Sequence, residues 1–131
     1  MFIQVETNET SLYDRVGGQP FFTSLVEHFY QGIQTDPVLR PLYPDDLEPP
    51  KRHLALFLAQ YWGGPHTYNK VRGHPRLRMR HFRFRIGQQE RDAWLAHMRS
   101  AVEASPASPR DAAALLAYFE TAATSLINQP Q

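Results

Sequence analysis

The most distinctive stretch of the sequence is residues 72–86, RGHPRLRMRHFRFRI, which contains six arginines and two histidines. A neutral imidazole is a common metal ligand, so a histidine here could hold a metal ion. Near alternation of polar and apolar residues from Arg76 to Ile86 also favours a half-buried strand with a basic outer face, of the kind that binds RNA. A solvated, arginine-rich connector between helices is a further interpretation.

A helix is the third interpretation of the same stretch. Leu77, His81 and Phe84 would then share one face, which is apolar except for a single imidazole that points into the core. A lone histidine on an apolar face is more often a satisfied core residue than a metal ligand. The residues by themselves therefore leave all three interpretations open.

Five segments of the chain together resemble one known family, the group II truncated haemoglobins. They are SLYDRVGGQPFF, HFYQ, PVLRPLYP, WGGPHTYNKVRGHPRLRMRHFRFRI and ERDAWL, and they cover roughly residues 11–128. The resemblance implies an all-α truncated globin, a two-over-two α-helical sandwich that encloses haem b (iron protoporphyrin IX). It also implies that His81 is the proximal iron ligand, and we expect a backbone carbonyl of the preceding turn to bind its other ring nitrogen.

The resemblance also directs attention to residues that could hold the cofactor. Haem carries two propionates, which cations near the rim of the pocket or a tyrosine hydroxyl could bind, and its macrocycle needs apolar walls. Every candidate has a plain alternative as a solvated charge or a core side chain. The propionate candidates are Arg80, Lys51, Arg52, His53 and Tyr68, and the wall candidates are Leu54, Phe57, Leu58, Leu77, Phe84, Ile86, Trp94 and Met98.

Three aromatic residues match the polar distal residues of the family, which hydrogen-bond to a ligand on the iron. They are Tyr30, Tyr43 and Trp94. An oxygen ligand carries partial negative charge, so phenol and indole donors stabilise it. Two such donors, at about 1.5 to 3 kcal/mol each, would slow ligand escape by about a hundredfold or more. The alternative is that all three are core aromatics whose polar groups are satisfied elsewhere.

The chain departs from the pattern of the family in two places. Pro49 and Pro50 occupy the start of the distal helix, where many globins carry a histidine gate, so we expect an open route to the iron. Arg83 stands where a proline is expected, which leaves the shape of the loop after His81 in doubt. Of the remaining histidines, His53 could swing onto the iron as a sixth ligand, and we expect a solvated position for His28, His66, His74 and His97.

Composition limits the classes of protein to which the chain can belong. Its 131 residues suffice for one domain, which we place at residues 11–128 after a flexible N-terminal extension, residues 1–10. The net charge of +1 implies no general affinity for polyanions. The absence of cysteine excludes disulfides and thiolate chemistry, and no leader or apolar run of membrane-spanning length is present, so we expect a cytoplasmic protein that uses neither nucleic acid nor a membrane as partner.

Hydrophobic spacing and cap residues predict the helices that must position these side chains. We expect a short helix over residues 11–16, a long helix opened by Pro20, a short capped turn after Asp36 and a helix from Pro50. A long connection rich in glycine and proline follows, up to residue 80. Two long helices complete the domain, one from Gln88 to Glu103 and one that starts at Ser108 and Pro109.

Three hypotheses of function follow. The first is a globin that reversibly binds O2, NO, CO or sulfide, with ligand sensing, scavenging or redox chemistry favoured over bulk oxygen transport. The second is an enzyme of the same fold, either an NO dioxygenase or a peroxidase-like protein that would need a reductant or a reductase partner. The third is a helical binding module that uses the arginine cluster on an acidic partner. Whether the chain forms a homodimer stays open.

Overall fold

The computed structural model describes residues 10–129, apart from the side chain of Arg78, and all of the regular structure in this range is helical. The predicted all-α class is therefore confirmed, and the strand interpretation of residues 76–86 is wrong. The elements are α1 (Leu12–Arg15), α2 (Gln19–Gln34), a 3₁₀ turn (Arg40–Leu42), α3 (Glu48–Tyr61), α4 (Thr67–Arg72), α5 (Leu77–His81), α6 (Gln88–Ala104) and α7 (Pro109–Ser125).

Two pairs of long helices form the two-over-two sandwich. Helix α2 packs against α3, α6 packs against α7, and contact between α2 and α6 joins the pairs. Helix α2 is central because seven of its side chains are buried, which is the apolar face that the spacing of its hydrophobic residues predicts. Phe22, Phe29 and Ile33 from α2 meet Leu58 of α3 and Met98 of α6 in the core, all at 2% exposure or less.

Cap residues set several helix ends where the sequence predicts them. The hydroxyl of Ser11 accepts a hydrogen bond from the backbone N–H of Asp14 at 3.1 Å, and Ser108 does the same for Asp111 at 3.1 Å. Helix α3 begins at Glu48, two residues earlier than expected, because the Asp46 carboxylate accepts from the Glu48 N–H at 3.0 Å. The two prolines that follow fit there, since the first N–H groups of a helix have no partner within it.

The connection between α3 and α5 is more ordered than its glycine and proline content predicts. It contains helix α4, which is fixed to α3 by a pair of side-chain amides. Gln60 Nε2 donates to Asn69 Oδ1 at 3.0 Å, and Gln60 Oε1 accepts from the Asn69 N–H at 3.0 Å. Tyr68 is buried against Phe57, with 5.5 Å between ring centroids. Contacts with α3, not local spacing, therefore hold this segment as a helix.

The outer surface of the fold gives no sign of a membrane-spanning element. Among residues 10–129, no helix combines the length and the hydrophobicity that crossing a bilayer requires. Of the predicted N-terminal extension, only Thr10 lies within the described residues.

An ion pair joins the end of α1 to the start of α7. Asp111, at the start of α7, is buried at 4% exposure, and Arg15 at the end of α1 donates to its carboxylate from Nη2 at 3.0 Å and from Nε at 3.2 Å. The Arg15 guanidinium holds the pKa of Asp111 below the usual value of 3.8. The folded state therefore favours the ionised carboxylate.

Replacing Asp111 with alanine should lower the free energy of unfolding at neutral pH by about 1.5 to 3 kcal/mol, because a charge-assisted pair is lost from a buried site. Since the folded-state pKa is depressed, this stabilisation is present above the pKa of the unfolded chain and disappears as the pH falls through the folded pKa. Urea unfolding of both proteins should therefore show a difference that shrinks below about pH 4. Asp14→Ala, at an exposed carboxylate, is the control and should change stability by less than about 0.5 kcal/mol.

Candidate functional site

His81 lies at the end of α5 with one ring nitrogen already engaged. Its Nδ1 lies 2.7 Å from the backbone carbonyl oxygen of Leu77, one turn earlier. A carbonyl can only accept, so Nδ1 carries the hydrogen and Nε2 keeps its lone pair. This confirms the expected carbonyl acceptor and leaves Nε2, oriented by the helix turn, as the ring nitrogen for a metal ion.

The loop before His81 is held by the neighbouring arginine. Arg80 donates from Nε to the carbonyl of Pro75 at 2.6 Å and from Nη2 to the carbonyls of Arg72 at 2.9 Å and His74 at 3.4 Å. Within this loop Arg76 has a left-handed backbone with φ of 46°. Much of the hydrogen-bonding capacity of Arg80 is therefore used to fix the loop that leads into α5.

The chain after His81 is held from the other side by Asn128, a residue that the sequence analysis does not single out. Asn128 accepts from the Ile86 N–H at 2.9 Å, donates its side-chain amide to the carbonyl of Phe84 at 2.7 Å, and donates its own N–H to the carbonyl of Ile86 at 2.8 Å. Arg83, at the position of the expected proline, stacks its guanidinium over the Phe84 ring at 5.0 Å. These contacts define the loop whose shape Arg83 puts in doubt.

The helical interpretation predicts that Phe84 and His81 share a helix. This prediction is wrong, because α5 ends at His81. The N–H of Phe84 closes a turn on the carbonyl of His81 at 3.0 Å, and the two rings lie 6.4 Å apart. The turn thus brings Phe84 back beside the imidazole without a continuous helix.

The three predicted distal residues come together although they lie in separate elements. Tyr30 of α2 and Tyr43, which follows the 3₁₀ turn, have ring centroids 5.5 Å apart, and Trp94 of α6 lies 5.3 Å from Phe29. The polar groups of Tyr30 and Trp94 both lie near enough to the Tyr43 hydroxyl to affect its pKa. The structure therefore assembles one polar cluster from these three residues, the distal cluster.

Burial dominates the pKa shifts in the distal cluster. It raises the pKa of Tyr30, and the nearby Tyr43 raises it further. Burial also raises the pKa of Tyr43 to about 12, while Trp94 and Tyr30 act in the opposite direction. Both hydroxyls therefore keep their protons at neutral pH and can act as donors.

A histidine that was expected to be solvated positions this cluster. His97, one turn after Trp94 on α6, lies with Nε2 2.6 Å from Asp36 Oδ2, and the other carboxylate oxygen of Asp36 accepts from the N–H groups of Val38 at 2.8 Å and Leu39 at 3.3 Å. The hydrogen bond with His97 lowers the pKa of Asp36. The prediction for His97 is wrong, because this pair ties the segment that carries Tyr43 to the helix that carries Trp94.

The remaining cationic candidates have varied surroundings. Lys51 forms ion pairs with Glu27 at 2.7 Å and with Glu48 at 3.0 Å. His53 is partly buried, and its pKa is lowered by that burial and by the charges of Arg72, Arg52 and Arg80. The predicted exposure is confirmed for His28, His66 and His74.

The side chains around His81 are compatible in their chemistry with haem, a group that brings four iron ligands of its own. Among residues 10–129, no three His, Cys, Asp or Glu side chains are grouped as a metal site built from protein ligands alone would require. A single imidazole nitrogen flanked by apolar walls is instead the arrangement that haem needs. Of the predicted wall residues, those that are buried are Phe57, Leu58, Ile86 and Met98, and those that are partly buried are Leu54, Leu77, Phe84 and Trp94.

Comparison with known proteins agrees with this arrangement. The model of the bacterial-like globins matches residues 11–128. The chain belongs to this family. Among its relatives, the group 2 truncated haemoglobin YjbI of Bacillus subtilis is 35% identical over 114 residues, which cover 87% of this chain and 86% of the relative.

Solved structures of truncated haemoglobins share the fold. A thermostable haemoglobin from the actinobacterium Thermobifida fusca is 50% identical, covers 93% of this chain and 100% of its own, and superposes with a TM-score of 0.91. A structure described as the truncated oxygen-avid haemoglobin of Bacillus subtilis is 34% identical, covers 91% of this chain and 100% of its own, and has a TM-score of 0.86. The fold and family are thus those of the group II truncated haemoglobins, globins that contain haem and bind small gaseous ligands such as O2.

The hydrogen-bonded pair of Asp36 and His97, here called the clasp, ties the segment that carries Tyr43 to α6. Gly32 lies against His97, so a substitution at Gly32 tests the clasp. An alanine Cβ at Gly32 would overlap the imidazole of His97. Gly→Ala within a helix ordinarily stabilises a protein by about 0.5 to 1 kcal/mol, but here we expect Gly32→Ala to destabilise it by about 1 to 3 kcal/mol in urea unfolding.

A double-mutant cycle provides the control for this prediction. In a His97→Ala background, Gly32→Ala should lose its destabilising effect, because the overlapping ring is gone. Ser24→Ala, at an exposed position of the same helix, should change stability by less than about 0.5 kcal/mol. A stabilising effect of Gly32→Ala in the otherwise unchanged protein would show that His97 is free to move away.

Proposed function

We propose that the protein binds haem b through Nε2 of His81 and reversibly binds oxygen and other small ligands, among them NO, CO and sulfide. When bound, haem supplies an iron atom with one position open to such a ligand. The observation that carries the proposal is the pairing of two features: an imidazole oriented by the Leu77 carbonyl, and a distal cluster in which the Tyr30 and Tyr43 rings lie 5.5 Å apart.

Tyr43 is the proposed direct donor to the ligand. A phenolic oxygen has two lone pairs and one hydrogen. In the proposed arrangement Tyr30 and Trp94 donate to the lone pairs of Tyr43, which is supported by their lowering effect on its pKa. The Tyr43 hydrogen would then remain for a partially charged ligand, and the two donors behind it would increase its acidity. Tyr30 and Trp94 act through Tyr43, as positioning residues that hold its hydroxyl in a single orientation.

The cationic residues around His53 are the proposed surroundings of the haem propionates. Arg52, Arg72 and Arg80 lie near enough to shift the pKa of this histidine. Their combined positive charge supports the binding of two carboxylates, with Arg80 contributing whatever hydrogen-bonding capacity its three carbonyl partners leave. Lys51 is a weaker candidate, because Glu27 and Glu48 already neutralise it.

A polar cleft next to the distal cluster is the proposed entrance for ligands. It has a volume of about 220 Å³ and is lined by Tyr30, Gln34, Arg40 and Leu47, together with the ion-paired Lys51. The prolines at the start of α3 offer no donor to a ligand that passes. The ion pairs of Lys51 therefore take the place of a histidine gate at this entrance.

Replacing His81 with alanine should abolish stoichiometric haem binding, because the protein then lacks a ligand for the iron. The measurement is the visible spectrum of the reconstituted ferric protein and of the ferrous protein under carbon monoxide. His66→Ala, at an exposed histidine, is the matched control and should keep the Soret band and its shift. An unchanged spectrum in His81→Ala would overturn the assignment of the proximal ligand.

Replacing Tyr43 with phenylalanine should raise the oxygen dissociation rate by about tenfold to a hundredfold, the equivalent of a lost hydrogen bond to a charged acceptor. Tyr30→Phe should have a smaller effect, because its hydroxyl acts through Tyr43. Rates are measured by stopped-flow displacement of oxygen with carbon monoxide. Tyr13→Phe, a tyrosine of α1 that stacks on Phe22, is the control. A larger effect for Tyr30→Phe than for Tyr43→Phe would reverse the proposed order of donors.

A further inference from the structure

A continuous series of aromatic rings leads from the distal cluster to the protein surface. Trp94 lies 5.8 Å from Phe119, Phe119 lies 5.5 Å from Tyr118, and Tyr118 lies 4.3 Å from Tyr61, all measured between ring centroids. Tyr61 is 52% exposed, so the outer end of the series reaches solvent. Three of these four rings belong to tyrosine or tryptophan, the side chains that lose an electron most readily.

The oxygen-binding function does not account for the outer end of this series. Tyr61, Trp62 and Tyr118 form a mutually packed group, with Trp62 5.2 Å from Tyr61 and 5.7 Å from Tyr118. Trp62 buries its indole Nε1, which has no hydrogen-bond partner among the described residues. An unsatisfied buried N–H is costly, so packing alone gives little reason to place an indole there.

Proton release distinguishes the exposed ring from the buried ones. A tyrosine that loses an electron also loses its phenolic proton, which needs an acceptor. Burial and the neighbouring Tyr61 phenol raise the pKa of Tyr118 to about 12, and Trp62 has no acceptor for its N–H. The half-exposed Tyr61 can pass its proton to water. A radical that moves along the rings is therefore expected to become a neutral tyrosyl radical on Tyr61.

We propose that Tyr61 is the surface residue at which electrons enter a path through Tyr118, Phe119 and Trp94. Hydrogen peroxide at the haem site would be reduced with an electron from Tyr61. The inference rests on the proposed function, since it requires haem beside Trp94. Hydrogen peroxide takes up two electrons and two protons to give two molecules of water. One electron would come from Tyr61, whose phenolic proton leaves to water, and the other from bound haem, while the two protons would be taken up from solvent.

The location of Tyr61 defines the class of substrate. Two one-electron donors, small phenols or ascorbate-like enediols, would each give up one electron and one proton, one restoring Tyr61 and the other the iron. Such molecules need only reach an exposed ring and need not enter the polar cleft next to Tyr30. The reducing substrate would therefore use a site separate from the haem site that binds hydrogen peroxide and gaseous ligands.

The test is to trap the tyrosyl radical on the haem-loaded ferric protein. Hydrogen peroxide is added with a nitroso spin trap, and the adduct is located by peptide mass spectrometry. We expect an adduct at Tyr61, its loss in Tyr61→Phe, and a strong decrease at Tyr61 in Tyr118→Phe. Tyr13→Phe should leave the adduct unchanged. Both substitutions on the path remove only a hydroxyl, so the Soret band should be preserved.

Two results would overturn the path while leaving the proposed function intact. One is a normal Soret band and normal oxygen binding with adducts confined to Tyr30, Tyr43 or Trp94. The other is an unchanged adduct at Tyr61 in Tyr118→Phe, which would assign the electron to the Phe57 ring, 6.2 Å from Tyr61, or to solution. Failure of the protein to form a Soret band would overturn the proposed function and this inference together.

Discussion

The buried hydroxyl of Tyr30 imposes the constraint on which the distal half of the structure depends. Helix α2 is packed between α3 and α6, so this phenol is largely buried and reaches only the edge of the polar cleft. Tyr43 lies beside it, with 5.5 Å between ring centroids, only because the chain after α2 turns back toward the core. Asp36 caps that turn, and its hydrogen bond with His97 anchors it to α6, the helix that carries Trp94. The core helix, the clasp and the distal cluster are therefore one mechanical unit.

The proximal half follows a different principle, because a helix of five residues has little stability of its own. Backbone carbonyls and amides of the flanking loops are bound by side chains on both sides, Arg80 before His81 and Asn128 after it. This accounts for part of the arginine cluster without a nucleic acid or an acidic partner. Arg80 organises backbone, and Arg83 covers an aromatic ring. Two arginines of the cluster, Arg80 and Arg83, therefore have structural roles that do not require the partner of the binding-module hypothesis.

Local signals were sufficient to predict the long helices and several of their caps. Ser11 and Ser108 act within three residues of their partners, and the apolar period of α2 is a property of its own sequence. Local signals failed where a distant residue decides the outcome, as in the attachment of α4 through Gln60 and the pairing of His97 with Asp36, 61 positions away. Resemblance to a family, and not spacing, placed Tyr43 beside Trp94.

The geometry of the distal cluster also changes how its energy should be counted. Three polar aromatics suggest three independent hydrogen bonds to a ligand, but in the proposed arrangement Tyr30 and Trp94 act through the Tyr43 hydroxyl, whose pKa both affect. The energies of the three residues would then be coupled and not additive. A single donor strengthened by two others would slow release of a charged ligand without blocking its entry. The proposed site would therefore suit sensing or redox chemistry better than delivery.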